Sequence, residues 1–192
     1  MSPDGISDGC VDGIALVLGQ SEPIERAPVS TAAVAVIFGK AGSFLLIKRV
    51  ERKDDPWSGQ VAFPGGRVQV EDPSLAATAV REAREEVGLD LAAKARFLGY
   101  MHKFEPGNER VSVVPCVFQL MEKQPVLRNG EVSSHRWVPL ASISVKRRGE
   151  YILERGEKRA VLPAFRFGDY VVWGLTERIL TELGELAGTL SS

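Results

Sequence analysis

The run from Phe63 through Leu89 constrains this chain most, because a Phe-Pro-Gly-Gly turn leads into a helix that carries three acids on one side. At about 100° per residue, Glu85 and Glu86 stand roughly 60° and 40° to either side of Glu82, so the three share an arc about 100° wide. Ala76, Ala79, Val80, Ala83 and Val87 fill the neighbouring arc and Arg84 points away, which predicts an amphipathic helix with acids rimming its buried face. Asp72 is the expected N-cap with Pro73 at the first helical position, and Gly88 is the expected stop. Ahead of the helix, Gln60 to Phe63 reads as a short strand ending at Pro64. Gly65-Gly66 then permits a tight bend and a close approach of backbone to a ligand.

Acids at i, i+3 and i+4 repel one another by a few tenths of a kcal/mol per pair in an isolated helix. Something positive is needed to offset this, and a hard divalent cation, Mg²⁺ or Mn²⁺, suits carboxylate oxygens and bridges to phosphates. Softer metals would call for Cys or His, which this stretch lacks. Arg81, four residues before Glu85, is placed to hold that carboxylate. The alternative is a solvated acidic helix face, and the Gly-Gly turn and the helix signals argue against it. The chemistry expected is attack of metal-activated water on a diphosphate, with a carboxylate taking the proton.

Arg81 to Leu89 matches the pattern Arg-Glu-apolar-x-Glu-Glu-x-Gly-apolar and resembles the signature of the Nudix superfamily. The resemblance implies an α/β/α sandwich with a mixed β-sheet and hydrolysis of a nucleoside diphosphate linked to another moiety. It also implies metal ligation by Glu82, Glu85, Glu86 and the carbonyl of Gly65. The usual pattern has a Glu eight residues before the Arg, where this chain has Pro73, and the spacing from Gly66 to Arg81 is one residue longer. Asp72 and Glu71 are the candidates for that missing acid.

The longer spacing, Gly59-Gln60-Val61-Ala62-Phe63-Pro64-Gly65-Gly66, Asp72-Pro73-Ser74-Leu75 and Tyr170-Val171-Val172-Trp173-Gly174-Leu175-Thr176 resemble the coenzyme A pyrophosphatase branch. A Leu-Arg-x-His stretch usual in that branch is replaced by Asp54-Asp55-Pro56-Trp57-Ser58. The resemblance implies coenzyme A or an acyl-CoA as substrate. ADP-ribose, nucleotide sugars and other nucleotides are alternatives, as is a module that binds nucleotides without cleaving them.

The chain of 192 residues, 44% hydrophobic, suffices for one sizeable core. The expected division is an N-terminal extension over 1–30 with a short helix, a hydrolase domain over 31–188 and a tail over 189–192. A formal net charge of −1 argues against a general nucleic-acid footprint. No run approaches the length of a membrane span and no leader pattern opens the chain, so cytosolic residence is expected. The expected partner is a small nucleotide, with no nucleic acid or membrane, and a homodimer is left open. Strands are predicted at Thr31 to Phe38, Ser43 to Arg49, Ala95 to Tyr100, Val111 to Leu120 and His135 to Val138. Helices are predicted at Ser74 to Val87 and from Leu175 to Ala187.

Glu131 is the first candidate for the general base, because this superfamily brings an acid from such a loop to the metals. Glu105 and Glu109 are the reserves. Arg49, Arg52 and Lys53 form a basic cluster able to grip phosphates. Arg67 follows the Gly pair, and Trp57 offers a face for a base. His102 and His135 are expected to be structural, and Cys10 and Cys116 to have no role.

Overall fold

The structure, a computed structural model, describes residues 5–19, 31–53, 57–105, 111–144, 148–155 and 158–189, with backbone alone for 5–8, 155 and 158. Its centre is a mixed sheet of seven strands. β1 (Thr31–Phe38) and β2 (Ser43–Arg49) run antiparallel and are joined at Gly39 to Gly42, where Ala41 takes a left-handed φ of 55°. The two strands pair only at Phe38 and Phe44 and then splay apart. The segment 61–67 fills the wedge: β3 (Val61–Ala62) pairs with β2 and β4 (Gly65–Arg67) pairs with β1.

β5 (Ala95–Tyr100) and β6 (Ser112–Leu120) complete one flank, β6 running parallel to β1. β7 (Val132–Pro139) pairs with β2 on the other flank and is longer than the predicted His135 to Val138. Alternation along β1 and β2 sends Ala33, Ala35, Leu45 and Ile47 to one face and Val36, Phe38, Phe44 and Leu46 to the other. The first face is covered by α2 (Leu75–Val87) and α3 (Leu91–Lys94). The second is covered by α4 (Leu175–Leu186) and α1 (Gly5–Leu18), giving the expected helix-sheet-helix layers.

α1 falls within residues 1–30, where a short helix was expected, and its Val11, Ile14 and Leu18 are buried in the same core as α4. A second, three-stranded sheet, β8 (Arg148–Arg155), β9 (Lys158–Phe167) and β10 (Tyr170–Trp173), was not foreseen over its first two strands. Pro163 argues against a central strand in the sequence. Its position is tolerated because β10 pairs with β9 only as far as Ala164, so Pro163 has a strand neighbour on one side alone. Phe165, Phe167, Tyr170 and Val172 of this sheet pack into the α4 core.

Candidate active site

The N-cap of α2 falls later in the chain than expected. Ser74, not Asp72, caps the helix, its hydroxyl accepting the Ala77 N–H at 3.1 Å, and the helix stops at Gly88 in the left-handed region, φ 68°. Along the helix the three acids form a gradient of burial: the side chain of Glu86 is 4% exposed, that of Glu82 15% and that of Glu85 54%. Burial pushes Glu86 up to about 7 despite the Gly65 N–H, and burial likewise raises Glu82 despite its hydrogen bond from Arg81.

Asp72, freed from capping, accepts two hydrogen bonds from Arg81, Nε to Oδ1 at 3.1 Å and a terminal nitrogen to Oδ2 at 2.9 Å. It also accepts the Gln69 N–H and the Thr78 hydroxyl. Burial opposes the Asp72 charge, but these bonds outweigh it and hold the carboxyl below its ordinary value. Arg81 in turn reaches Glu82 at 2.7 Å, the Arg67 carbonyl at 3.0 Å and Glu85 at 3.4 Å. Of the acids it touches, the expected partner Glu85 is thus the most distant. Glu71 is exposed.

The Gly pair works differently from the expected bend. Gly65 and Gly66 lie in extended β4, neither with positive φ. What they supply is closeness: a Cβ on Gly65 would come 2.6 Å from the Val34 Cα, and one on Gly66 would collide with the Glu82 carboxylate. The Gly65 N–H donates to Glu86 at 3.0 Å, which ties the turn to the helix.

Glu131 is brought to the same helix. The Leu127 N–H donates to the Val87 carbonyl at 2.9 Å and the Asn129 N–H to that of Glu86 at 3.0 Å, so the loop caps the last turn of α2. The Asn129 side chain accepts the Glu131 N–H at 2.8 Å, and the Glu131 charge adds to the upward push on Glu86. Arg52 stands 3.8 Å from Glu131, and Arg49 stands 3.8 Å from Glu86. Glu105 is engaged elsewhere, by Lys103 at 3.0 Å and Ser112 at 2.9 Å, and the Lys103 hydrogen bond holds its carboxyl below the usual range. Glu109 and residues 54–56 lie outside the described residues. His102 bonds Glu182 at 3.0 Å, His135 pairs with Ile47 between strands, and Cys116 is buried.

A cavity of about 400 Å³ opens beside Gly65 and Gly66. Arg49, Arg67 and Trp57 line it, while Arg52 and Lys53 are not among its walls. Its other walls bring together the two distant segments singled out in the sequence, Gln60 to Gly66 and Trp173 to Thr176. Neither the Asp72 anchor nor the wall built by β10 and α4 was derivable from periodicity. An Asp nine residues before the Arg was the available signal for the first.

Three hard-oxygen donors on one helix arc, two of them raised by burial, have the chemistry a divalent cation needs. As they stand, no three of His, Cys, Asp and Glu converge tightly enough to hold an ion among the described residues: Glu82 is turned to Arg81 and Glu86 to the Gly65 N–H. No helix among the described residues is long and apolar enough to cross a membrane.

A NUDIX domain model matches residues 28–158. Mitochondrial coenzyme A diphosphatase NUDT8 of Homo sapiens is 29% identical over 95% of this chain and 79% of its own length. Nudix hydrolase 15, mitochondrial, of Arabidopsis thaliana is 30% identical over 83% of this chain, which spans 59% of that relative. Both names place those relatives in mitochondria, so the cytosolic expectation finds no support in them. A MutT/nudix family protein from Enterococcus faecalis superimposes with a TM-score of 0.52 at 18% identity, covering 87% of this chain and 65% of that one, which bears on the fold alone. With the Arg81 to Leu89 signature complete and the domain match spanning most of the chain, this protein belongs to the Nudix family of hydrolases, pyrophosphatases that act on phosphoric anhydride bonds and generally use divalent metal ions.

Proposed function

We propose that this hydrolase cleaves the diphosphate of coenzyme A or an acyl-CoA, giving 3′,5′-ADP and a 4′-phosphopantetheine product, with Mg²⁺ or Mn²⁺ as cofactor. The observation that carries the reading is the meeting of Gln60 to Gly66 with Trp173 to Thr176 as walls of one cavity next to the acids. Both segments resemble the coenzyme A branch, and they lie more than a hundred residues apart in the chain. The similarity to a coenzyme A diphosphatase over nearly the whole chain supports it.

In this reading Glu82, Glu85 and Glu86 hold the cation, joined by the Gly65 carbonyl. A divalent ion held there would neutralise charge on the phosphate oxygens and lower the pKa of the attacking water. Glu131 receives the proton as the water oxygen bonds to one phosphorus and the P–O bond to the bridging oxygen breaks. Arg81, anchored by Asp72, orients Glu82. Arg49 and Arg67 face the phosphates from the cavity wall, Trp57 offers a stacking face, and Arg52 acts on the site through Glu131. The test is kcat/KM across coenzyme A, acyl-CoA, ADP-ribose and nucleotide sugars, with the products identified. A tenfold or greater preference for ADP-ribose or a nucleotide sugar over every CoA species would overturn the coenzyme A assignment.

A further inference from the structure

A second cavity, of about 360 Å³, shares two wall residues with the first, Gln60 and Trp173. Lys48 and Arg49 are consecutive on β2, where its pairing with β7 shifts register, and Arg49 lines the first cavity while Lys48 lines the second. The opposite wall is the second sheet, where Tyr151 of β8 and Trp173 of β10 flank β9. Their rings are stacked, centroids 4.9 Å apart and planes 8° from parallel. Trp173 is followed by Gly174, whose φ of 66° turns the chain into α4.

Each cavity alone is at the small end of the range for ligand sites. The acids adjoin only the first, by way of Gly66, so a molecule occupying both spaces must extend well beyond its scissile bond. The second cavity presents charges of both signs, Lys48 against Glu154 and Asp169, and Asp169 is already paired with Arg136 at 2.5 Å. A strongly charged end group finds no match there. An amide, hydroxyl or thiol does.

We propose that this second cavity is a distal subsite that takes the uncharged, hydrogen-bonding end of a long arm attached to the diphosphate, and that Trp173, braced by Tyr151, sets selectivity at its entrance. The proposal rests on the diphosphate reading of the first cavity and names the part of the substrate which that reading leaves without a location. The distal end of a pantetheine arm has this chemistry.

Tyr151 and Val171 line only the second cavity. The experiment compares wild type, Tyr151→Ala and Val171→Trp by kcat/KM on coenzyme A and on a truncated analogue that keeps the 3′-phosphoadenosine diphosphate but ends after the pantoyl group. Each variant's Tm is recorded, and the two variants, one opening the stack and one filling the cavity, guard against a folding defect in either. The expected result is a loss of about tenfold or more on coenzyme A, mainly through KM, against less than about threefold on the analogue. Equal losses on both substrates, or none on either, overturn the subsite. If wild type ignores CoA species and cleaves ADP-ribose, the substrate reading fails by itself, and the variants are then compared on ADP-ribose and diadenosine diphosphate. Selective loss on the longer molecule retains the subsite, and parallel behaviour removes it.

Discussion

Asp72 grips Arg81 at two points, and Arg81 passes that constraint on to Glu82 at 2.7 Å. The Asp72 side chain is only 7% exposed, so removing it leaves a guanidinium half-paired beside a buried acid. Asp72→Ala is expected to destabilise the fold by about 2–4 kcal/mol and to lower kcat at least about tenfold by freeing Glu82. Glu71→Gln, at an exposed neighbouring position, should change neither. Denaturant unfolding and steady-state rates on all three proteins check this, and equal effects from both positions would refute the anchor.

Glu86 makes metal-free stability depend on pH in a definite direction. Burial raises its carboxyl from 4.5 to about 7 in the folded protein, so the native state holds this proton more tightly than the unfolded chain does. Its contribution is fully present below the unfolded value and is lost as pH rises through about 7. Glu86→Gln lacks that loss. Metal-free, the variant should gain on wild type by about 1–3 kcal/mol between about pH 5 and pH 8, while its turnover falls by about two orders of magnitude. Parallel stability profiles for the two proteins would contradict the assignment.

Glu131→Gln should lower kcat far more than it raises KM, because a base acts on the chemical step. Glu105, held by Lys103 and Ser112, should tolerate the same change with near wild-type rates. Reversal of that order would move the base to the 105 loop.

Gly66→Ala would drive a methyl into the Glu82 carboxylate. Millimolar Mg²⁺ or Mn²⁺ should raise the wild-type Tm through binding to the native state. Gly66→Ala and Glu82→Gln should both blunt that shift, and a full shift in both variants would place the ion elsewhere.

The helix and its acids were legible in the sequence because period, cap and charge coincide in one short run, and Gly88 ends α2 where expected. Its start was misread for a physical reason: Asp72 and Ser74 both have capping side chains, and the choice between them depended on Arg81 claiming Asp72 from nine residues away. Gly65 and Gly66 were recognised as special, but as a bend, since contacts with Val34 and Glu82 exist only once β1 and β2 have splayed. β9 went unseen because Pro163 interrupts its alternation and Phe165 and Phe167 find their apolar partners on α4 and β2, while β8 pairs with β9 alone. The cavity walls are tertiary in the same sense, joining Gln60 to Trp173.

The amides of Leu127 and Asn129 donate to the carbonyls of Val87 and Glu86, so their protons are shielded only while the end of the acid-bearing helix and the loop beside it stay docked. Their hydrogen-exchange rates therefore act as an internal reporter on this site. Slowed exchange at these two amides on adding a ligand would register ordering around Glu86 without turnover, so that even a molecule the enzyme binds but does not cleave would leave its mark there.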